Sequence, residues 1–188
     1  MSGAEAGKGR RVEPGTGGSW RVRGGELPLD RPLVMGVLNV TPDSFSDGGR
    51  HLDPDDAARR ARHMVEEGAD LVDVGGESTR PGAEPVSTER EWERVGPVLE
   101  RLRELPAPVS VDTTDAVVAE RALEAGASVI NDVSGLRFAP RLADLAAHTG
   151  AGLVLMHMRG DPRTMQEDTA YEDLVGEVRS FLAGALDE

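Results

Sequence analysis

The sequence has no cysteine, and aromatic residues make up only 3% of its 188 positions. The absence of cysteine excludes disulfide bridges, thiolate zinc sites and cysteine nucleophiles, and it is typical of proteins from a reducing compartment. Lysine is almost absent as well, because Lys8 is the single lysine among 21 basic residues. The 34 acidic residues give a formal net charge of −13, which argues against a protein that binds the nucleic-acid backbone.

Long hydrophobic segments are also missing. No apolar run approaches the roughly 20 residues that a membrane-spanning helix needs, and the N-terminus lacks the apolar centre of a signal peptide. We therefore expect a cytoplasmic protein with one globular domain over residues 31–188. Residues 1–30 are rich in glycine and have no apolar period, so we expect a flexible arm, attached at most through Trp20 and Val22.

Short apolar runs alternate with stretches of helical period after the arm, which predicts repeated βα units and a parallel sheet. The runs lack polar alternation, as is typical of strands that are buried on both faces. Five strands are predicted, at residues 33–38, 71–74, 109–111, 128–130 and 152–156.

Helix start and stop signals lie between these runs. Asp53 and Pro54 begin the first predicted helix and Gly68 ends it, while Thr88 and Glu91 form a capping box for the second. Three more helices are predicted at 115–126, at 141–148 and from residue 174. Their apolar stripes are expected in the core, including that of the fifth helix, which comprises Leu174, Val175, Val178, Phe181 and Leu182.

Polar residues follow every predicted strand. They are Asn39, Asp73, Glu77, Asp112, Asn131, Asp132 and His157. Ligands of parallel α/β sheets bind at the carboxyl ends of the strands, so this pattern predicts a binding site. The alternative is that each residue caps the next helix, which is less suitable for Asp112 because residues 113–115 can supply that cap.

Two loops add to this prediction. The first, residues 39–49, is longer than a βα connection requires, and its glycines, hydroxyls and Phe45 suit a lid over a ligand; an ordinary surface loop with one anchoring aromatic is the alternative. The second loop, residues 75–83, places Ser78, Thr79 and Arg80 beside two glycines, a combination suited to anionic oxygens.

At these residues the chain resembles dihydropteroate synthase. The resemblance runs from about Pro32 to Met165, through MGVLNVTPDSFSDGG, GADLVDVGGESTRPGA, SVDTTDAVVAERALEAGASVINDVSG and VLMHMRGDPRTMQ in the family's order and spacing. It implies a (β/α)8 TIM barrel that uses Mg²⁺ to join 6-hydroxymethyl-7,8-dihydropterin pyrophosphate to 4-aminobenzoate. The products would be 7,8-dihydropteroate and pyrophosphate.

The resemblance also implies roles for individual residues. Asp112 and Asn131 would hold the pterin edge and Met156 would pack on its ring. Asn39 would contact Mg²⁺ and pyrophosphate, and Arg80 would neutralise the leaving group, so Asn39, Arg80 and Asp112 are the expected catalytic residues. The loops would supply further substrate contacts and closure through Ser78, Thr79, Thr41, Asp43, Ser44, Phe45 and Asp47. Asp73, Glu77 and His157 have the alternative of orienting neighbours or being ordinary strand-end residues.

The sequence departs from the family in length. A complete barrel takes about 250 residues, and only five βα units of about 30 residues fit here. The family's DPGxGF segment with a second pterin-binding aspartate, its later lysines and its final arginine and histidine have no counterpart. We expect the first part of a longer synthase, a short protein that needs a second chain, or a remnant with pterin affinity. An open five-stranded piece should expose edges and associate, and the family's homodimer cannot be carried over.

Two alternative functions remain at this point. One is a truncated, non-catalytic pterin-binding or assembly partner, and the other is a methyltetrahydrofolate-dependent corrinoid methyltransferase on a similar barrel. The NVTPDSFSDGG and STRPG segments favour the synthase over the methyltransferase.

Overall fold

The computed structural model describes residues 17–41, 53–78 and 85–187. An antiparallel hairpin comprises β1 (Ser19–Val22) and β2 (Gly25–Pro28). The parallel sheet comprises β3 (Met35–Asn39), β4 (Leu71–Gly75), β5 (Val109–Asp112), β6 (Val129–Asp132) and β7 (Gly152–Leu155). The helices are α1 (Pro54–Glu66), α2 (Thr88–Arg101), α3 (Ala116–Ala125), α4 (Arg141–Thr149) and α5 (Leu174–Leu186).

The five parallel strands pair in chain order, β3-β4-β5-β6-β7. A helix connects each strand to the next, and α5 follows β7. This is the predicted arrangement of five βα units, and it corresponds to the first part of a (β/α)8 barrel. The strand boundaries agree with the prediction to within two residues.

The two faces of the sheet differ in polarity at β4 and β5. Val72 and Val74 on β4, and Val111 on β5, are fully buried in the core shared with the helices. Successive side chains of a strand point to opposite faces, so Asp73 and Ser110 lie on the other face. In a closed barrel that second face is the interior.

Two of the predicted helix starts are confirmed. Asp53 caps α1 by accepting the Asp55 N–H at 2.8 Å, and Asp115 caps α3 by accepting the Val117 N–H at 2.7 Å. Gly126 ends α3 with a left-handed φ of 115°, which favours glycine.

The predicted capping box of α2 is wrong. Ser87 is the cap, one residue before the predicted position, and its side chain accepts the Arg90 N–H. The Thr88 hydroxyl instead donates to Asp115. Glu91 is buried with 2% exposure, so its side chain points into the protein rather than back to the helix start.

The expected loose arm is replaced by the hairpin over residues 19–28. Val22 is buried, and a Cβ at Gly152 would lie only 2.8 Å from Trp20 Cζ2, so the hairpin packs tightly on the start of β7. The Arg23 N–H also donates to the Ser128 carbonyl at 3.1 Å. The hairpin therefore covers the amino ends of β6 and β7, opposite the end where the site was predicted. The first 16 residues of the arm lie outside the described residues.

The fifth helix also differs from its prediction, because α5 has no buried residue. Leu174 and Val175 are 53% and 75% exposed, although their spacing is that of a core stripe. The edge strand β3 also exposes an apolar side chain, because Val37 is 55% exposed. In the described chain β3 and β7 each pair with one strand only, so the surfaces that further barrel units would cover are open. Across the described ranges, no helix is long and apolar enough to cross a membrane.

Candidate functional site

Four residues at the carboxyl ends of adjacent strands form one row across the sheet. Asn39 is in register with Gly75, Gly75 with Asp112, and Asp112 with Asn131. In-register residues of a parallel sheet present their side chains on the same face. The structure thus brings together Asn39, Asp112 and Asn131, three of the residues that the sequence proposed for the site.

Gly75 leaves the centre of this row open. A Cβ at this position would lie 3.3 Å from Asn39 Oδ1 and 3.4 Å from Asp112 Oδ2. An amide oxygen and a carboxylate oxygen therefore border the same small space above the glycine. Any side chain there would fill the space that a ligand needs to reach them.

Asp73 orients Asn131. The Asn131 Nδ2 group donates to Asp73 Oδ2 at 2.9 Å, and Asp73 is 3% exposed. Because its N–H group is used in this way, Asn131 has its carbonyl oxygen left as an acceptor for a ligand. Burial raises the pKa of Asp73, while Ser110 and Asn131 lower it. This contact supports the orienting alternative for Asp73.

Asp112 lies in a negatively charged environment. Burial raises the pKa of its carboxyl from 3.8 to about 7, and repulsion from Asp73, Glu91, Glu77 and Asp132 adds to the effect. Near neutral pH the side chain therefore changes readily between its protonated and ionised forms. A ligand that donates hydrogen bonds would favour the ionised form.

The base of the second loop is fixed by two hydrogen bonds. Glu77 accepts the Val86 N–H at 3.1 Å, and Arg94 donates to the Gly76 carbonyl at 2.6 Å. Burial is the main cause of the raised pKa of Glu77. These contacts support an orienting role for Glu77. Thr79 and Arg80, which this loop carries, lie outside the described residues.

A cavity of about 500 Å³ lies beside the base of this loop. Its lining includes Glu77, Ser78, Glu91, Thr114, Phe138 and Arg163. Ser78, a predicted substrate contact, therefore lies on the wall of this cavity. Asp112 and Asn131 belong to the open face of the sheet beside it.

Of the remaining predicted residues, some lie in the described part of the chain and others do not. Thr41 is buried at the start of the first loop, and the Met156 side chain is 39% exposed, directly after β7. Asp43, Ser44, Phe45 and Asp47 lie outside the described residues, so the predicted lid does too.

Asp132 and His157 make contacts within the fold. Asp132 is fully buried and accepts the N–H groups of Ser134 and Leu136 at 2.8 and 2.6 Å, which shapes the turn after β6. The His157 ring meets the Phe181 ring edge to face, with centroids 4.9 Å apart. Asp132 thus organises a turn and His157 packs against α5.

Sequence reasoning missed two features of the site. Gly75 was treated as part of a loop, although it is the centre of the row, and Glu91 was assigned to a cap. The only signal for Gly75 was its position after an apolar strand, between two residues of predicted function. Nothing local in the sequence distinguishes a buried Glu91 from a capping one.

The described residues contain no cluster of three or more His, Cys, Asp or Glu side chains arranged for a metal ion. Mg²⁺ does not require one, because it commonly takes one or two protein oxygens together with water and substrate phosphates. Asn39 Oδ1, next to the open space at Gly75, is an oxygen donor of that kind. The site therefore offers one oxygen that could bind Mg²⁺ as a protein ligand.

Comparison with known proteins agrees with this geometry. Residues 35–188 match the model of a family described as pterin binding enzyme, so the chain belongs to that family. The dihydropteroate synthase of Synechocystis sp. is 51% identical over 158 residues, which are 84% of this chain and 55% of the relative.

Two solved structures are similar throughout the described fold. Dihydropteroate synthase of Burkholderia cenocepacia, complexed with 7,8-dihydropteroate, is 46% identical to this chain with a TM-score of 0.77. The match covers 90% of this chain and 57% of the Burkholderia chain. Dihydropteroate synthase of Xanthomonas albilineans, with 4-aminobenzoic acid, is 48% identical with a TM-score of 0.79, at 90% and 60% coverage. The chain thus spans less than two thirds of the length of these relatives.

Proposed function

We propose that the chain acts in folate biosynthesis as a dihydropteroate synthase, condensing 6-hydroxymethyl-7,8-dihydropterin pyrophosphate with 4-aminobenzoate. The observation that carries the proposal is the row Asn39, Gly75, Asp112 and Asn131 at the carboxyl ends of four strands. Relatives of the same family bind the product or the second substrate, as stated above, which supports the same chemistry here.

Pterin recognition rests on Asp112 and Asn131. The pterin edge carries adjacent N–H donors, which a carboxylate accepts in pairs. Asp112 supplies the carboxylate, and Asn131, held by Asp73, supplies a carbonyl oxygen beside it. Met156, with its exposed side chain, packs on the ring.

The reaction exchanges one bond of the pterin methylene carbon for another. The C–O bond to pyrophosphate breaks and the oxygen keeps the electron pair, after which the amine nitrogen of 4-aminobenzoate bonds to the carbon and loses a proton. In this proposal Asn39 contacts the pyrophosphate, and Arg80, which lies outside the described residues, neutralises the developing charge. Mg²⁺, when bound with Asn39 as a ligand, would add further positive charge there.

Thr41 and Ser78 are proposed to contact the substrates, as are four loop residues outside the described ranges: Thr79, Asp43, Ser44 and Phe45. Their hydroxyl, carboxyl and aromatic groups would contact 4-aminobenzoate and exclude water. Exclusion of water matters because a dihydropterin cation formed on loss of pyrophosphate would otherwise be hydrolysed.

A non-catalytic pterin-binding or assembly partner is the second candidate. It is favoured by the row itself, because the side chains of Asn39, Asp112 and Asn131 accept hydrogen bonds and carry no positive charge for a pyrophosphate. In this case the row would bind the pterin, and the groups that complete the reaction would come from the remaining units of a barrel.

The test is to supply the chain with both substrates and Mg²⁺ and to measure dihydropteroate by mass spectrometry, with pterin binding measured by calorimetry. We expect Asp112→Asn to abolish pterin binding, because an amide cannot accept two N–H donors in the same way. Asp144→Asn, at an exposed position on α4, is the matched control.

Product formation supports the synthase, and binding without product supports the partner function. If the chain neither binds the pterin nor forms product, both proposals are wrong. Equal pterin affinity of the Asp112→Asn variant and the wild type would refute the assignment of Asp112.

A further inference from the structure

Asp73 is a buried carboxyl on the site face of the sheet that the proposed reaction does not use. It is 3% exposed, and its Oδ1 atom has no hydrogen-bond partner among the described residues. A buried carboxyl with an unpaired oxygen costs free energy of folding. Residues that are kept at such a cost commonly serve a functional site, so we ask what Asp73 contributes to the row.

Asp73 lies one layer below the row. It is two residues before Gly75 on β4, so the two residues face the same side of the sheet. Asn131, which belongs to the row on β6, donates from Nδ2 to Asp73 Oδ2 at 2.9 Å. Because β5 lies between β4 and β6, this contact passes over β5 on the site face. Asp73 therefore supports the row from below.

The contact fixes which end of the Asn131 amide is paired with the protein. An ionised carboxylate only accepts hydrogen bonds, so Asp73 pairs with the Nδ2 group of Asn131 and excludes its Oδ1 atom. Within the described chain, no group donates to Asn131 Oδ1. Asn131 is only partly buried, so this oxygen is left for a ligand.

We propose that Asp73 is a specificity-determining residue for the pterin, which makes this edge of the site an acceptor of hydrogen bonds by holding Asn131 in one amide orientation. The proposal rests on the proposed function and adds the residue that sets its selectivity. Asp112, in register with Asn131, presents carboxylate oxygens in the same row. Together the two side chains match a heterocycle edge with N–H donors and reject an edge with carbonyl oxygens.

Asparagine at position 73 would remove this selection. Its side chain carries both an acceptor and a donor, so it pairs with either end of the Asn131 amide. Burial, and next the charge of Asp73, raises the pKa of Asp112, so the same substitution changes the affinity for every ligand that Asp112 binds. The ratio of two affinities, rather than one affinity, therefore measures the selection.

The experiment measures the affinities of the full chain for 6-hydroxymethylpterin and 6-hydroxymethyllumazine by calorimetry at pH 7. The lumazine carries an oxygen in place of the pterin 2-amino group, and neither compound carries a pyrophosphate. The wild type should prefer the pterin at least about tenfold, because the lumazine leaves an acceptor of the site without its donor. Asp73→Asn should reduce this preference at least about threefold. Asp144→Asn, the same chemical change at an exposed position on α4, should keep the wild-type ratio.

The double variant Asp73→Asn/Asn131→Asp exchanges the two side chains. The new amide at position 73 donates to the new carboxylate at position 131, and that carboxylate presents only acceptor oxygens to the ligand. This variant should regain the wild-type preference for the pterin. A role of Asp73 in packing alone predicts no such recovery.

The side-chain amide signals of Asn131 supply a test that needs no ligand. One of the two Nδ2 protons should be shifted downfield in the wild type by the hydrogen bond to the Asp73 carboxylate, and this NMR measurement decides the matter if Asp73→Asn does not fold. Ordinary shifts of both protons would overturn the proposal. An unchanged ratio of affinities in folded Asp73→Asn, or equal affinities of the wild type for the two compounds, would overturn it as well. A wild type that binds neither compound would instead refute the proposed function, on which this proposal rests.

Discussion

Replacing Asp112 by asparagine should stabilise the fold at alkaline pH. The folded state raises the pKa of this carboxyl from 3.8 to about 7, with burial as the main cause and repulsion from Asp73 as the next. When folding raises the pKa of a carboxyl, ionising that carboxyl at a pH above the raised pKa lowers the stability of the folded state. Asparagine has a similar shape and no charge, so it avoids this cost.

The size of the effect follows from the shift. Three pH units correspond to about 4 kcal/mol, at about 1.4 kcal/mol per unit. Asp112 retains some contact with solvent, which screens part of the repulsion, so we expect a gain of about 2 kcal/mol in the free energy of unfolding at pH 8. Well below pH 3.8 the aspartate is protonated in both states, and the gain should vanish.

The sign of the pH dependence is equally specific. Between about pH 4 and pH 7 the folded protein holds a proton that the unfolded chain releases, so the wild type loses stability as the pH rises. Asp112→Asn should flatten this slope, although Glu91, whose pKa is also raised to about 7, keeps part of it. Urea unfolding at several pH values, followed by circular dichroism, measures both slopes.

Asp144→Asn is the control, because this exposed carboxylate lies on α4, away from the row. It should change the free energy of unfolding by less than about 0.5 kcal/mol at every pH. If Asp112→Asn destabilises the chain at pH 8, or has the same effect at pH 4 and pH 8, then Asp112 is not ionised at a cost in the folded protein and the electrostatic argument is wrong.

Two further predictions concern the same region. Gly76→Ala should lower the free energy of unfolding by about 1–3 kcal/mol, because the new methyl group would lie 2.8 Å from Val95 Cγ1. Gly25→Ala is the control in the same urea experiment, and it should have little effect because a Cβ there has no atom within 4 Å. Pterin affinity should rise about tenfold from pH 6 to pH 8 as Asp112 ionises, and calorimetry at constant ionic strength would contradict this with a flat or falling profile.

Most of the fold could be predicted from sequence because its signals are local. The apolar runs at β4 and β5 and the caps at Asp53 and Asp115 depend on neighbours within a few residues. Trp20 and Val22 could be named as attachment points of the arm, but the hairpin of residues 19–28 could not be predicted, because its stability comes from their packing on the distant Gly152. An interaction between residues so far apart in the chain leaves no periodic pattern.

The site shows the same division. That Asn39, Asp112 and Asn131 would share one edge follows from the rule for parallel strands, and the register confirms it. The space at Gly75 depends instead on its neighbours across the sheet, Asn39 and Asp112. The inward side chain of Glu91 depends on how closely α2 approaches Gly76. Sequence spacing alone cannot distinguish a glutamate that caps a helix from one that is buried beneath a strand end.

The charges around Asp112 suit one of the two proposed substrate groups better than the other. The groups that raise the pKa of Asp112 beyond the effect of burial are all carboxyls, and the Arg94 guanidinium nearby donates to the Gly76 carbonyl. This environment is suited to accepting N–H donors from a pterin and unsuited to holding a pyrophosphate anion. Under the proposed function, neutralising that anion falls to Arg80 and to Mg²⁺. Under the proposed function, pterin recognition and neutralisation of the pyrophosphate therefore depend on different residues of the site.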